Sequence, residues 1–375
     1  MASTRLLELV NRLAEPFVGR WEEALVLVMA VVSREHAILI GEPGTGKSAL
    51  ARRLATLLDA RFFKYLLTKF TEPGELLGPL DIRALREGVY RRITRDKMPE
   101  AEIVFLDEVF NANSAVLNSL LSVMQERVIY DGYTEIKTSI WSIIGASNQT
   151  PTEPELEALY DRFMLRHLVK PLDAEYWSEL IHKSWEIEKR GYEAERPIIS
   201  LSELRQWYDR LLTVDISQVL DKMLKLFMVF EEKGLHLTDR RKGKAAKIVA
   251  AHALIHGRSR AELTDLHALK YVVPRDIDEF EKAKTILFEE IKTKEKVLAE
   301  LAEIKANLER IAPEIRRSGT LSPRLIDYYK VLRELENKVK ALASDMADEE
   351  VVAAASELLD VISDLLEIVT IKLNM

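Results

Sequence analysis

The chain has 375 residues, 47% apolar and 31% charged, with a formal net charge of −7. That length accommodates two or three domains, each burying its own core, and the composition is that of a folded chain rather than a disordered one. No cysteine is present, which excludes disulfides, thiolate nucleophiles and Cys-ligated zinc and fits a cytoplasmic location; the acidic balance weighs against whole-surface affinity for nucleic acid.

Near the amino terminus, Arg5, Glu8 and Arg12 interrupt the apolar core that a signal peptide needs. The most apolar run, 24–32, is flanked by Glu22, Glu23 and Arg34. It is too short to span a bilayer and predicts a buried helix, and no transmembrane segment is expected anywhere in the chain. Over residues 1–171, short apolar runs alternate with helical patterns, which predicts an α/β domain with a mainly parallel sheet. Strands are expected at 36–40, 62–67, 103–106, 141–146 and 164–169.

Directly after the first of these, Gly41-Glu42-Pro43-Gly44-Thr45-Gly46-Lys47-Ser48 fits the phosphate-binding loop pattern, with Ala49 opening a helix that is apolar at Leu50, Leu54, Leu57 and Leu58. Glycines let a backbone bend around an anion while successive N–H groups point inward. Lys47 can neutralise the β and γ oxygens of a nucleotide, and the Ser48 hydroxyl can ligate Mg²⁺. Residues 41–49 are therefore the expected nucleotide contacts, with ATP and Mg²⁺ as cofactors. The strand at 103–106 ends in Asp107-Glu108. Beside the phosphate loop, Asp107 would hold Mg²⁺ and Glu108 would activate water, so the expected reaction is ATP hydrolysis.

Two insertions interrupt this domain. Residues 68–99 hold several Gly and Pro and an Arg-rich stretch from Arg83 to Arg95; residues 128–138 alternate around Asp131-Gly132, a hairpin turn signal. From 172 to 275 the pattern is helical without strand alternation, and Pro274-Arg275-Asp276 marks a boundary. Residues 276–375 predict helices alone. One helix spans 276–312 with Phe280, Leu287, Ile291, Leu298, Leu301 and Leu308 on its apolar side. In the next, Leu325, Leu332, Val339 and Met346 recur every seven residues, as do Tyr328, Leu335 and Leu342. Val352, Ala355, Leu359, Ile362, Leu366, Val369 and Leu373 repeat the 3-4 spacing in the last. Breaks are expected at Pro313, 319–323 and 345–348, giving a folded-back bundle or antiparallel coiled coil.

With both nucleotide motifs placed, further segments resemble the AAA+ ATPases. Residues 142–148, ending in Asn148, resemble a sensor-1 strand; Leu159-Tyr160-Asp161-Arg162-Phe163 resembles an arginine-finger region; Leu237-Thr238-Asp239-Arg240-Arg241 resembles sensor 2. Residues 70–80, 100–108 and 156–162 are similar to the MoxR branch, in particular to the regulatory ATPase variant A (RavA-like) proteins, over about 5–275. That resemblance implies an AAA+ core with a helix-2 insertion in 68–99, a hairpin before sensor 1, a helical lid from about 172, and a ring, most often a hexamer, with nucleotide between subunits. Phe17, Val18 and Gly19 would line the adenine pocket. Asn148 would orient the attacking water, Arg162 would reach the neighbour's site, and Arg240 would contact phosphate from the lid of its own subunit. Arg166 remains an alternative to Arg162, and Arg241 to Arg240. The match ends near Pro274, where RavA-like proteins continue into a small β domain that this sequence lacks.

His252 and His256 share a helix face but lack the Glu of a zinc-protease helix and a third ligand, so they read as a structural pair. Arg91, Arg92, Arg95 and Lys97 read as a solvated face. The leading functional expectation is a homo-oligomeric, chaperone-like ATPase that remodels or activates a protein client, with a von Willebrand factor A domain protein as the first guess. A nucleic-acid motor is the alternative, disfavoured by charge, and a non-hydrolysing scaffold ranks third because Glu108 is present.

Overall fold

Residues 36–40 are apolar at nearly every position and buried throughout, as a strand covered on both faces must be. In the computed structural model, which describes residues 5–131, 134–190, 196–291, 294–319, 324–344 and 349–373, this segment is β1 (His36–Ile40). It belongs to a five-stranded sheet with β2 (Phe62–Leu66), β3 (Ile103–Asp107), β6 (Ser142–Ser147) and β7 (Phe163–Leu168) in the order β2-β3-β6-β1-β7. All four pairings are parallel, so the loops after β1, β3 and β6 emerge together at one edge. The expected strands are all present in this sheet. A separate antiparallel ribbon, β4 (Val128–Asp131) with β5 (Thr134–Lys137), forms the predicted hairpin. Its turn residue Gly132 lies outside the described residues.

The sheet is covered by α2 (Trp21–Val32), α3 (Lys47–Leu57), α6 (Ser114–Glu126) and α7 (Pro154–Tyr160), with α1 (Arg5–Ala14) packed on α2 and α3. Two five-residue helices, α4 (Pro73–Leu77) and α5 (Ile82–Arg86), occupy the first insertion. The run at 24–32 is the buried part of α2, with Ala24 to Val32 all inaccessible or nearly so. After β7 come α8 (Trp177–Arg190), α9 (Leu201–Leu211), α10 (Ser217–Glu232), α11 (Asp239–Ile255) and α12 (Ile277–Glu290), with a 3-10 segment at Leu263–Tyr271.

The molecule divides into two compact units, residues 1–290 and 291–375. The boundary expected at 275/276 therefore moves. The single helix read over 276–312 is two elements, and its first part, α12, packs on α10 and the 3-10 segment. Ala283, Ile286 and Leu287 are the buried residues of α12, Phe280 packs against the core of the sheet, and Lys222 Nζ reaches Glu290 at 3.0 Å.

The second unit contains α13 (Lys294–Arg317), α14 (Arg324–Ser344) and α15 (Glu349–Leu373). Pro313, expected as a break, lies inside α13, near its end, where few downstream turns depend on it. Lys305 pairs with Glu357 at 2.8 Å, and Lys372 donates to the carbonyls of Ile315, Arg316 and Ser318, capping α13. These contacts set α15 parallel to α13. The seam Leu325, Leu332, Val339 and Leu342 is buried between them, giving an up-down-up bundle; Met346 lies outside the described residues.

Candidate nucleotide site and arginine edge

β1 delivers the chain to Gly41, where a Cβ would lie 2.2 Å from the Val169 carbonyl oxygen, so only glycine passes. At the other end of the loop, Gly46 adopts φ +86° as the N-cap of α3 and offers no side-chain cap. The first N–H groups of α3 are left as donors at a positive helix end. Lys47 is buried and folds back, its Nζ donating to the carbonyls of Gly41 (2.7 Å) and Glu42 (2.8 Å). Burial lowers its pKa, opposed by the nearby charges of Asp107 and Glu108. Thr45 Oγ1 closes the loop on the Glu42 carbonyl at 2.9 Å, while Glu42, Pro43 and Gly44 remain exposed.

β3 lies one strand away from β1 across β6, and it brings Asp107 and Glu108 to the same edge. Glu108 has φ 51° and ψ 46°, the left-handed region, an arrangement that costs about 1–3 kcal/mol and is maintained by its surroundings. Asn148 follows β6 directly and is exposed beside the loop, since Gly41 N–H donates to the Ser147 carbonyl at 3.0 Å. Phe17 lies against Gly46, with its ring 3.8 Å from where a Cβ would be. It shares a small hollow with Thr45, Lys47, Leu50 and Val169. Val18 is buried and Gly19 contacts Leu172. The donor set thus suits Mg-ATP: uncapped helix N–H groups, a lysine resting on loop carbonyls, and a carboxylate on the next strand but one. Ser48 and Ala49 are half-buried in the first turn of α3, where the Ser48 hydroxyl accepts from Lys64 Nζ at 2.6 Å. Lys64, on β2, carried no motif signal.

A second cluster occupies the opposite edge. Arg162 immediately precedes β7, and because β7 runs parallel to β1, it lies where β1 begins. Its guanidinium donates to the Ala158 carbonyl (2.6 Å) and Gln125 Oε1 (3.0 Å). Arg240, in the first turn of α11, pairs with Asp161 at 3.0 Å, and Thr238 Oγ1 donates to the same carboxylate at 3.0 Å. Arg162, Arg240, Glu35, His36, Gln125 and Lys244 line a cleft of about 240 Å³. Burial and the adjacent Arg240 charge lower the Arg162 pKa.

Arg166 and Arg241, the alternatives, are fully buried. Arg241 donates to the carbonyls of Val272 (2.7 Å), Phe163 (2.9 Å) and Met164 (2.8 Å). Arg166 donates to those of Pro274 (2.8 Å) and Tyr160 (3.0 Å) and stacks 3.7 Å over the Tyr160 ring. Both are struts between β7 and the segment before α12. Arg240 lies at the edge where β1 begins, and a five-residue strand, about 16 Å long, separates that edge from Lys47.

Among the discounted residues, His252 Nδ1 lies 2.6 Å from Asp265, and His256 Nδ1 lies 2.8 Å from the His252 carbonyl. Asp265 is the third group that spacing alone did not reveal; one potential ligand atom from each residue lies within 4.8 Å of the others. Arg258 and the Glu262 N–H already occupy its carboxylate, which is the satisfied network expected of a structural pair. Arg91 pairs with Asp81, and Arg92 donates to the Gly78 carbonyl.

This architecture is that of the AAA+ P-loop ATPases. A candidate ATPase from Cytophaga hutchinsonii has a similar fold, with a TM-score of 0.63 over 76% of this chain and 93% of its own at 20% identity. Residues 4–209 match the MoxR domain in the MoxR-vWA-beta-propeller ternary systems, and residues 214–287 match an AAA lid domain. The chain belongs to the MoxR-domain family of AAA+ ATPases. It is 36% identical to uncharacterized protein MJ0812 of Methanocaldococcus jannaschii over 274 residues, 72% of each chain. Over 170 residues, 44% of each, it is 27% identical to chaperone MoxR1 of Mycobacterium tuberculosis. No described helix is long and apolar enough to cross a membrane.

Proposed function

We propose that this chain is a RavA-like ATP hydrolase of the MoxR family, working as a ring, most simply a hexamer, whose active sites are shared between subunits. The observation that carries the reading is the separation of charges across the sheet: Lys47, Asp107 and Glu108 at one edge, Arg162 and Arg240 at the other. A subunit so built cannot complete its own site, but a head-to-tail neighbour completes it. Arg240 then acts in trans beside Arg162, which replaces the own-subunit role expected from resemblance.

In this reading Phe17, Val18 and Gly19 receive the adenine, and Lys47 exchanges the Gly41 and Glu42 carbonyls for phosphate oxygens. Ser48 and Asp107 would hold Mg²⁺, which would neutralise phosphate charge there. Glu108 takes a proton from the water that Asn148 positions, and the incoming Arg162 stabilises charge on the γ-phosphoryl as it leaves for that water. ATP and water become ADP and phosphate. The domain reading is a core through 171 and a lid from 172 that extends through α12. The family's description names von Willebrand factor A systems, which supports a protein client carrying that domain; a cytoplasmic location completes the proposal.

Mixing two inactive variants tests the shared site. Lys47→Ala loses its own phosphate loop, and Arg162→Ala loses the finger; each alone should fall by ~10³-fold or more. Mixed, junctions between an intact loop and an intact finger reappear and activity returns. A mixture as inactive as its components would sink the shared-site reading.

A further inference from the structure

α8 is a fourteen-residue helix in which no described side chain is buried. Trp177, Ile181 and Trp185, at i, i+4 and i+8, are 57%, 68% and 61% exposed, with Leu180 beside them. Two tryptophans on one helix face are an unusual surface, since aromatic side chains dominate the energetics of cores and interfaces. A helix this short is marginal without an amphipathic contact. Its visible tethers are slight: Trp177 Nε1 donates to the Leu172 carbonyl at 3.0 Å, and Lys183 Nζ to the Glu15 carbonyl at 2.6 Å. Glu15 precedes the Phe17-Val18-Gly19 segment, so α8 lies on the nucleotide edge of the molecule.

A second stripe belongs to the other edge. α10 buries Val219, Met223, Leu226, Phe227 and Phe230, and on its other face Leu220, Leu224 and Met228, again at i, i+4 and i+8, are 40%, 46% and 64% exposed. Its last turn reaches the arginine cluster: Glu231 pairs with Lys242 at 2.9 Å, in the same turn of α11 as Arg240.

We propose that the α8 stripe of one subunit is covered by the α10 stripe of its ring neighbour. The inference rests on the shared-site reading, which brings the arginine edge of one copy against the nucleotide edge of the next. A head-to-tail contact requires two different complementary faces, and these two apolar stripes are of matching length on the two edges that must meet. With aromatic side chains offering roughly 150–250 Å² each, the α8 stripe supplies on the order of 400 Å². That is about half of the ~800 Å² each partner contributes to a stable interface, and the shared nucleotide junction supplies the rest. The contact links the lid position of one subunit to α8, and through Glu15 to the adenine segment, of the next.

The chain's lack of cysteine makes the test site-specific. Single variants Trp185→Cys and Leu224→Cys, in a Glu108→Gln background with Mg-ATP, are mixed and treated with a short bis-maleimide. The expected product is a crosslinked dimer in the mixture and none from either variant alone. In parallel, Ile181→Glu, at an exposed position, should leave the melting temperature unchanged yet move the concentration midpoint of assembly up by about tenfold or more in light scattering. If the unsubstituted Glu108→Gln protein assembles but Ile181→Glu assembles equally and no mixed crosslink forms, the α8–α10 contact is wrong and the shared site stands. Crosslinks between Trp185→Cys copies alone would overturn the choice of α10. A protein that stays monomeric in Mg-ATP at every concentration would remove the shared-site reading itself.

Discussion

The two edges of the sheet are built by different means. At the nucleotide edge, contiguous backbone does most of the work: Gly41 passes under Val169, Gly46 frees the amino end of α3, and Lys47 folds back over six residues of its own loop. At the arginine edge, no segment is sufficient. Asp161 meets Thr238 and Arg240 across more than seventy residues of sequence, and Arg241 ties β7 to the chain just ahead of α12. Local chemistry thus shapes the phosphate-loop motif, while tertiary packing decides which arginines are buried and which stay at the surface.

The sharpest way to break that contrast is at Glu108, the residue of the nucleotide edge held in the left-handed region. Glu108→Gln keeps the shape and removes the proposed base, so turnover should fall ~10²–10⁴-fold while nucleotide affinity stays near its original value. Single-turnover phosphate release with a fluorescent ATP analogue for binding separates the two. A fall in affinity matching the fall in rate would assign Glu108 to binding instead.

The same contrast explains what sequence conveyed. The phosphate loop, the acidic strand end and the hairpin are written in consecutive residues, and the parallel sheet follows from apolar strands with helices between them. Choosing among Arg162, Arg166, Arg240 and Arg241 was beyond local pattern, because burial is set by elements more than seventy residues away. That Arg240 lies at the edge opposite Lys47 was equally invisible, since a strand's direction in the sheet exists only once the sheet is assembled. α12 misled for a related reason: Phe280, Leu287 and Ile291 suit a bundle seam as well as a lid surface, and periodicity cannot name the partner. Pro313 shows that proline marks a helix end only where nothing else holds the turn.

Arg240 and Arg241 are adjacent, yet they should fail differently. Arg241→Ala removes five donated contacts from a fully buried site and leaves carbonyls of Asp161, Phe163, Met164 and Val272 without that partner. A loss of about 3–5 kcal/mol in stability is expected, with a matching drop in melting temperature. Arg240→Ala breaks a half-exposed ion pair with Asp161 and should cost no more than about 1 kcal/mol. Its effect should instead be on turnover in the assembled state. Chemical denaturation of both variants decides between them; an Arg240→Ala protein as destabilised as Arg241→Ala would make both residues struts.

The smallest effect expected is a pH dependence seated at the start of β1, on the arginine edge. His36 is buried, its Nδ1 accepts the Ile143 N–H at 2.9 Å, and its Nε2 faces the Met124 carbonyl at 3.0 Å. Arg127 Nη1 also lies 2.9 Å from Nε2, and burial with that guanidinium charge holds the ring's pKa well below the ordinary 6.5. In the unfolded chain the ring takes up a proton as pH falls through 6.5; in the folded chain it does not, so the unfolded state binds more protons and stability declines on the acid side. Above 6.5 this residue contributes no slope. Below it, the slope approaches but does not exceed ~1.4 kcal/mol per pH unit, until the folded ring also titrates. His36→Asn should lower stability at neutral pH by losing packing, yet flatten the decline between pH 6.5 and 5 relative to the parent. Urea midpoints across that interval measure it, and an undiminished slope in the variant would assign the acid sensitivity to another group.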